Sequence, residues 1–301
     1  ANVAYTKIYK PQQELSVLAL YSRNNRTNNF VADIMSGADF ETIMSRQRND
    51  NLSYNQESTL QVDYQAPIKQ NQLIEFGGKG IFRQVNSDYQ YFLAQGANGE
   101  FVEDNSRPAN TLNYNQNIAS TYLSYTLTTK NKYTIKAGAR YEYTFIDARF
   151  SNETSTQLTS IPDYGNLVPS VNISKSIGRG RIMKLAYNRR IQRPSLQFLN
   201  PNRQAANPLN ITIGNPALAP EYTNNYELSY STAVKRVNLN FSTFVRNTNG
   251  SIQAVREVRG VDTIRTTYNN IGQEDAYGAH LLCAVPAFAG GGVLVFCEHS
   301  V

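Results

Sequence analysis

Residues 133–145 alternate without an error: Tyr133, Ile135, Ala137, Ala139, Tyr141, Tyr143 and Phe145 fall on one face, and Thr134, Lys136, Gly138, Arg140, Glu142 and Thr144 on the other. Period two means extended chain with two unlike sides. At ~3.3 Å per residue the run is roughly 43 Å long. Tilted about 40°, it rises ~33 Å, more than the ~25 Å apolar band of an outer membrane. Strands of soluble proteins usually run about 5 to 6 residues. A Lys or Arg turned to lipid at the midplane costs on the order of 2 to 4 kcal/mol, so the face with Lys136, Arg140 and Glu142 must meet water or protein. The division recurs: Leu60, Val62, Tyr64 and Ala66 oppose Gln61, Asp63 and Gln65. Val237, Leu239, Phe241 and Thr243 oppose Asn238, Asn240 and Ser242, until Phe244 breaks the pattern. The lumen-facing candidates are Asp63, Lys136, Arg140 and Glu142.

The spacing of these runs predicts an all-β, antiparallel transmembrane barrel. Strands are expected at 12–21, 54–66, 72 to beyond 82 with a kink near 86–88, 112–128, 132–147, 166–176, 181–191, 222–233 and 237–247, with a tenth strand before residue 280. Their connections alternate between short turns (67–71, 129–131, 177–180, near 235) and long polar loops (22–53, 95–111, 148–165, 192–221). Outer-membrane barrels are built this way, with long loops outside the cell and short turns in the periplasm. An open sheet leaves unpaired backbone groups in hydrocarbon. Ten strands must therefore close on themselves or belong to a larger barrel.

Residues 183–246 carry a further signal. Met183, Leu185 and Tyr187 alternate with Lys184, Ala186 and Asn188, and Tyr226, Leu228 and Tyr230 alternate with Glu227 and Ser229. Between these strands run Arg189, Arg190, Arg193 and Pro194; then Asn200 and Pro201; then Gly214, Asn215, Pro216, Leu218, Pro220 and Glu221. Taken in this order, these segments resemble the barrel signature of TonB-dependent outer-membrane receptors. The resemblance covers the barrel half of such a receptor. It implies a barrel of about 22 strands, of which this chain holds about half. It further implies a plug domain preceding the barrel, and an inner-membrane energy-coupling protein that drives passage of a captured ligand; neither the plug nor its coupling box is found in this sequence. The ligand is scarce and polar: an iron chelate, a vitamin or an oligosaccharide. Arg189 and Arg190 fall on opposite faces of a strand end. Arg190, Arg193 and Glu221 flank the long loop, where a pairing among them has a packing role.

Composition supports this reading without deciding it. The 20 Tyr and 13 Phe, with no Trp, suit aromatic girdles at the two membrane interfaces. The net charge of +6 comes without a Lys/Arg run, so nucleic acid is not an expected partner. Residues 1–279 hold no His, which excludes a His-based triad there. Gly77, Gly78, Lys79 and Gly80 lack phosphate-loop spacing and lie in an alternating strand, where glycine relieves crowding. No catalytic residue, metal or cofactor is expected, and the chain reads as a non-enzyme.

The division expected is a partial barrel over 1–275 and an atypical tail over 276–301. No charge occurs from 281 to 297, and His280, Cys283, Cys297 and His299 are all the His and Cys of the chain. A tetrahedral zinc set, a disulfide, a membrane helix opposed by Pro286 and the following glycines, and a lost reading frame or continuation after Gly278 remain open for it. Other classes also remain: a passive small barrel, a surface-interaction protein, a soluble Tyr-rich sandwich, or a truncated product without function.

Overall fold

Alternating sequence becomes paired strand almost everywhere. The structure, a computed structural model, describes residues 1–37, 41–105, 109–152, 155–158, 161–178, 180–201, 204–207, 210–234, 237–260, 263–286 and 292–300. Among the described residues, seventeen strands form one sheet. Its length is carried by β1 (Asn2–Lys10), β2 (Gln13–Thr27), β3 (Ile43–Lys69), β4 (Gln72–Gln95), β5 (Asn110–Thr128) and β6 (Tyr133–Asn152). The second half is β7 (Tyr164–Gly178), β8 (Arg181–Gln192), β9 (Glu221–Val234), β10 (Val237–Arg259), β11 (Thr263–Pro286) and β12 (Gly292–Ser300). Each pairs antiparallel with the next, an up-and-down meander. No pairing joins β1 to β12 among the described residues, so these strands do not close into a small barrel.

The nine strands given bounds in the sequence are present, β11 is the further one before residue 280, and β1 and β12 add to them at the edges. The expected kink near 86–88 is absent: β4 keeps register with β3 through Asn86, Ser87 and Asp88. All four long loops are partly strand; in 192–221 the pieces are Gln204–Asn207 and Asn210–Thr212, the latter parallel to β11. Phe30–Met35 extends the sheet along β3, Val102–Glu103 along β4 and Ser155–Leu158 along β6. Polar side chains hide the continuation, because above the membrane a strand needs no apolar face. The strand β11 runs unbroken from Thr263 to Pro286, and β12 pairs along its lower half.

Register assembles the local alternations into two continuous faces. Leu15, Tyr64, Phe76, Leu123, Ala139 and Pro169 stand in one row across six strands. Met183, Tyr230, Phe241 and Leu281 form a row in the other half. One residue along, Ser16, Asp63, Gly77, Tyr122 and Arg140 make a polar row. The apolar face is bare: Leu123 is 55% exposed, Leu185 51% and Phe76 46%. A soluble sandwich would cover it with a second sheet, and none does so among the described residues. Lipid is the solvent such a face requires. Aromatic pairs mark its two ends, Tyr64 with Phe76 (5.4 Å) near the short turns and Tyr143 with Phe145 (4.6 Å) toward the loops. No described helix is long and apolar enough to cross a membrane; crossing is by strands.

Candidate functional site

The polar face carries a network of charges that the apolar face lacks. Lys136 Nζ meets Glu75 Oε2 at 2.5 Å, and Ser124 donates to the same oxygen at 3.0 Å. Asp63 accepts from the Tyr122 hydroxyl at 2.8 Å and from Gln61 Nε2 at 2.7 Å. Arg140 Nε donates to Glu142 Oε1 at 2.6 Å, and Arg193 donates to the other oxygen of Glu142. Arg83 binds Glu57 at 2.6 Å and Gln116 at 3.1 Å. Gly77 makes one of these contacts possible. A Cβ there would lie 2.6 Å from Asp63 Oδ1 and 2.7 Å from the Tyr122 ring, in the path of their hydrogen bond.

All four lumen-facing candidates therefore stand on the polar face, and all four line cavities. One, of about 700 Å³, is walled by Asp63, Glu75, Tyr122, Lys136, Arg140 and Arg190 among others. A neighbouring one of about 380 Å³ is walled by Lys79, Tyr122, Arg140, Glu142 and Arg193 among others. Sequence reading missed Glu75, Lys79 and Arg83, although all three share the odd-numbered face of β4. The glycines on either side of Lys79 drew attention to the wrong chemistry.

The segment between β8 and β9 folds inward onto this face. Leu199 and Leu218 join Leu112 and Tyr114 of β5 and Ala148 and Phe150 of β6 in the main buried apolar cluster. Ser195 caps α1 (Leu196–Leu199), a single helical turn. Several residues of the resemblance make contacts within this fold. Arg193 binds Glu142 and the fully buried Thr144 hydroxyl (3.2 Å). Pro194 and Leu218 line a small crevice over Tyr114. Gly214 N donates to the Asn200 carbonyl at 2.8 Å, and a Cβ on Gly214 would lie 2.5 Å from that oxygen. Asn215 Nδ2 donates to the Tyr268 carbonyl at 2.9 Å, and Asn270 holds Ala219 through both its amide atoms (2.8 and 2.9 Å). Glu221 accepts the Ile252 amide at 2.6 Å. Pro201 and Pro216 are half-buried in this loop and Pro220 is buried. The described residues of 192–221 thus form a clasp from β5 and β6 across to β10 and β11.

The expected pairing of Arg190, Arg193 and Glu221 is corrected here. Arg193 takes Glu142, fifty-one positions away in sequence, Glu221 takes a backbone amide, and Arg190 lies in the cavity wall. Arg189 stacks on the Tyr222 ring at 4.5 Å. Glu227 stands opposite Ala186 and Phe244, on the polar side of β9. Tyr114 lies beyond the last apolar residue of the outer side of β5, above the membrane; burial pushes its phenol up to about 12. Of the four His and Cys residues of the tail, His280 stacks with Phe244 at 5.2 Å and Cys283 is a free thiol facing Val295 in register. The side chains of Cys297 and His299 lie outside the described residues.

A meander of long strands with one lipid face and one charged face defines an outer-membrane β-barrel protein. The chain matches the outer membrane protein beta-barrel family over residues 6–289 and belongs to it. It lies in the outer membrane of a Gram-negative bacterium. No curated protein sequence matches it. Solved structures share the fold, that of the TonB-dependent receptor barrel expected from residues 183–246. They include the copper transporter OprC, with TM-score 0.67, 9% identity, 99% of this chain and 45% of that one. FyuA, the ferric yersiniabactin uptake receptor of Yersinia pestis, gives 0.61 at 12% identity, covering 99% and 43%. Fiu, the ferric-catecholate import receptor of E. coli K12, gives 0.61 at 12%, covering 99% and 47%. The chain spans less than half the length of each.

Proposed function

We propose that this chain is wall of a receptor that takes up a scarce polar ligand, an iron chelate, vitamin or oligosaccharide, across the outer membrane. Its partners in this reading are membrane lipid, a plug domain seated against the polar face, and an inner-membrane protein that supplies the energy. The observation that carries the reading is the ion-paired polar face, with its cavity of about 700 Å³, set back to back with a bare apolar face. A barrel filled only by its own side chains has no such room. Structural neighbours named as a copper transporter and ferric uptake receptors support it. Clasp geometry narrows the candidate ligand loops to 22–53, 95–111 and 148–165, because 192–221 is committed to holding the wall together.

Accumulation of labelled ferric chelates, cobalamin and oligosaccharides, compared between cells with and without the gene, tests it. One ligand class should enter only with the gene, and entry should stop when the proton-motive force is collapsed. Gene-dependent entry that persists after collapse would make the protein a passive pore.

A further inference from the structure

The two polar-face cavities share Gln61, Tyr122 and Arg140, so their walls form one surface. Five basic residues of the polar face line it (Lys79, Lys136, Arg140, Arg190, Arg193) against three acidic ones (Asp63, Glu75, Glu142). Each acid is already engaged: Asp63 by Tyr122 and Gln61, Glu75 by Lys136, Glu142 by Arg140 and Arg193. Lys79 and Arg190 are left with no acidic partner among the described residues. Basic side chains outnumber acidic ones on this wall, so its field favours an arriving anion. Cationic ligands are disfavoured by the same field.

We propose that this surface is an anion site that takes carboxylate groups, bracketed by Lys79 on β4 and Arg190 on β8. Arg140 and Arg193, held in place by their shared Glu142, set the field between them. Lys79 and Arg190 are four strands apart, roughly 19 Å at ~4.8 Å per strand. A single carboxylate cannot bridge that span, so the site suits a ligand or segment carrying several. Two sources share this chemistry: a free polycarboxylate, and acidic side chains of the protein's own lumen-filling part. The inference rests on the uptake reading only for the route by which a free anion arrives.

Calorimetric titration of the full-length protein in detergent with citrate at low ionic strength, together with thermal unfolding, tests it. Variants are K79M/R190M and the control K184M; Lys184 is an exposed cation of β8, set between Ser174 and Ser229 and outside both cavities. A free-anion site predicts saturable citrate binding that weakens at least tenfold in K79M/R190M and less than twofold in K184M. An internally filled site predicts no citrate binding and a fall in Tm in K79M/R190M that K184M lacks. Citrate bound equally by all three proteins, or no binding with Tm unchanged or raised in K79M/R190M, overturns the proposal. None of these readouts depends on the uptake assay, so the two readings fail separately.

Discussion

Replacing Ala139 by Lys probes the assignment of the two faces directly. Ala139 stands between Leu123 and Pro169 in the apolar row. It is the middle residue of the run 133–145, ~15 Å above Tyr133 along the membrane normal at ~3.3 Å per residue and a tilt of about 40°. That depth is near the middle of a ~25 Å apolar band, where a lipid-facing Lys costs on the order of 2 to 4 kcal/mol. The folding equilibrium should fall roughly 30- to 700-fold. Ser170→Lys is the matched control. Ser170 pairs with Gly138 one position away, on the polar face, at nearly the same depth. Thr134→Lys, on that face near the short turns, is a second. Both should shift stability by only about 0.5 kcal/mol. Urea titrations of the full-length protein in lipid vesicles, with heat-modifiable mobility as the folded signal, measure all three. Equal tolerance of Lys at 139, 170 and 134 would refute the face assignment, and with it the membrane placement of the sheet.

Arg193→Met should cost about 2 kcal/mol, the scale for a lost hydrogen bond to a charged group, and should raise hydrogen exchange in 192–201 before the strands; protection unchanged there would show that the apolar cluster alone holds the clasp. Gly214→Ala should cost on the order of 1 to 3 kcal/mol through the clash with the Asn200 and Phe198 carbonyls, read as a lower Tm with the ten central strands intact by circular dichroism. The Tyr114 phenol, raised by burial to about 12, contributes stability that is complete below pH ~10 and is lost as pH rises toward the folded value. Alkaline unfolding of Tyr114→Phe should therefore begin at higher pH than that of the wild type, and coincident curves would count against its burial.

The sequence by itself determined which residues share a face. Alternation is local: once 133–145 is extended, Lys136, Arg140 and Glu142 must lie opposite Tyr133, Ala139 and Phe145, whatever surrounds them. Pairing across the short turns followed too, because a short connection makes neighbours in sequence neighbours in the sheet. Only the tertiary structure decided what each polar residue meets. Glu75 and Lys136 are sixty-one positions apart, and Arg193 and Glu142 fifty-one. Both pairings depend on the register of intervening strands and on an inward fold of residues 192–221. A one-residue slip in any strand would turn its charges into lipid, so register is fixed jointly by all the strands and is not encoded in any one of them. The clasp was hidden for a related reason: its prolines and asparagines announce a loop, but where that loop lies is set by Leu112, Tyr114, Ala148 and Phe150, far away in the chain and buried only when the wall exists to hold them.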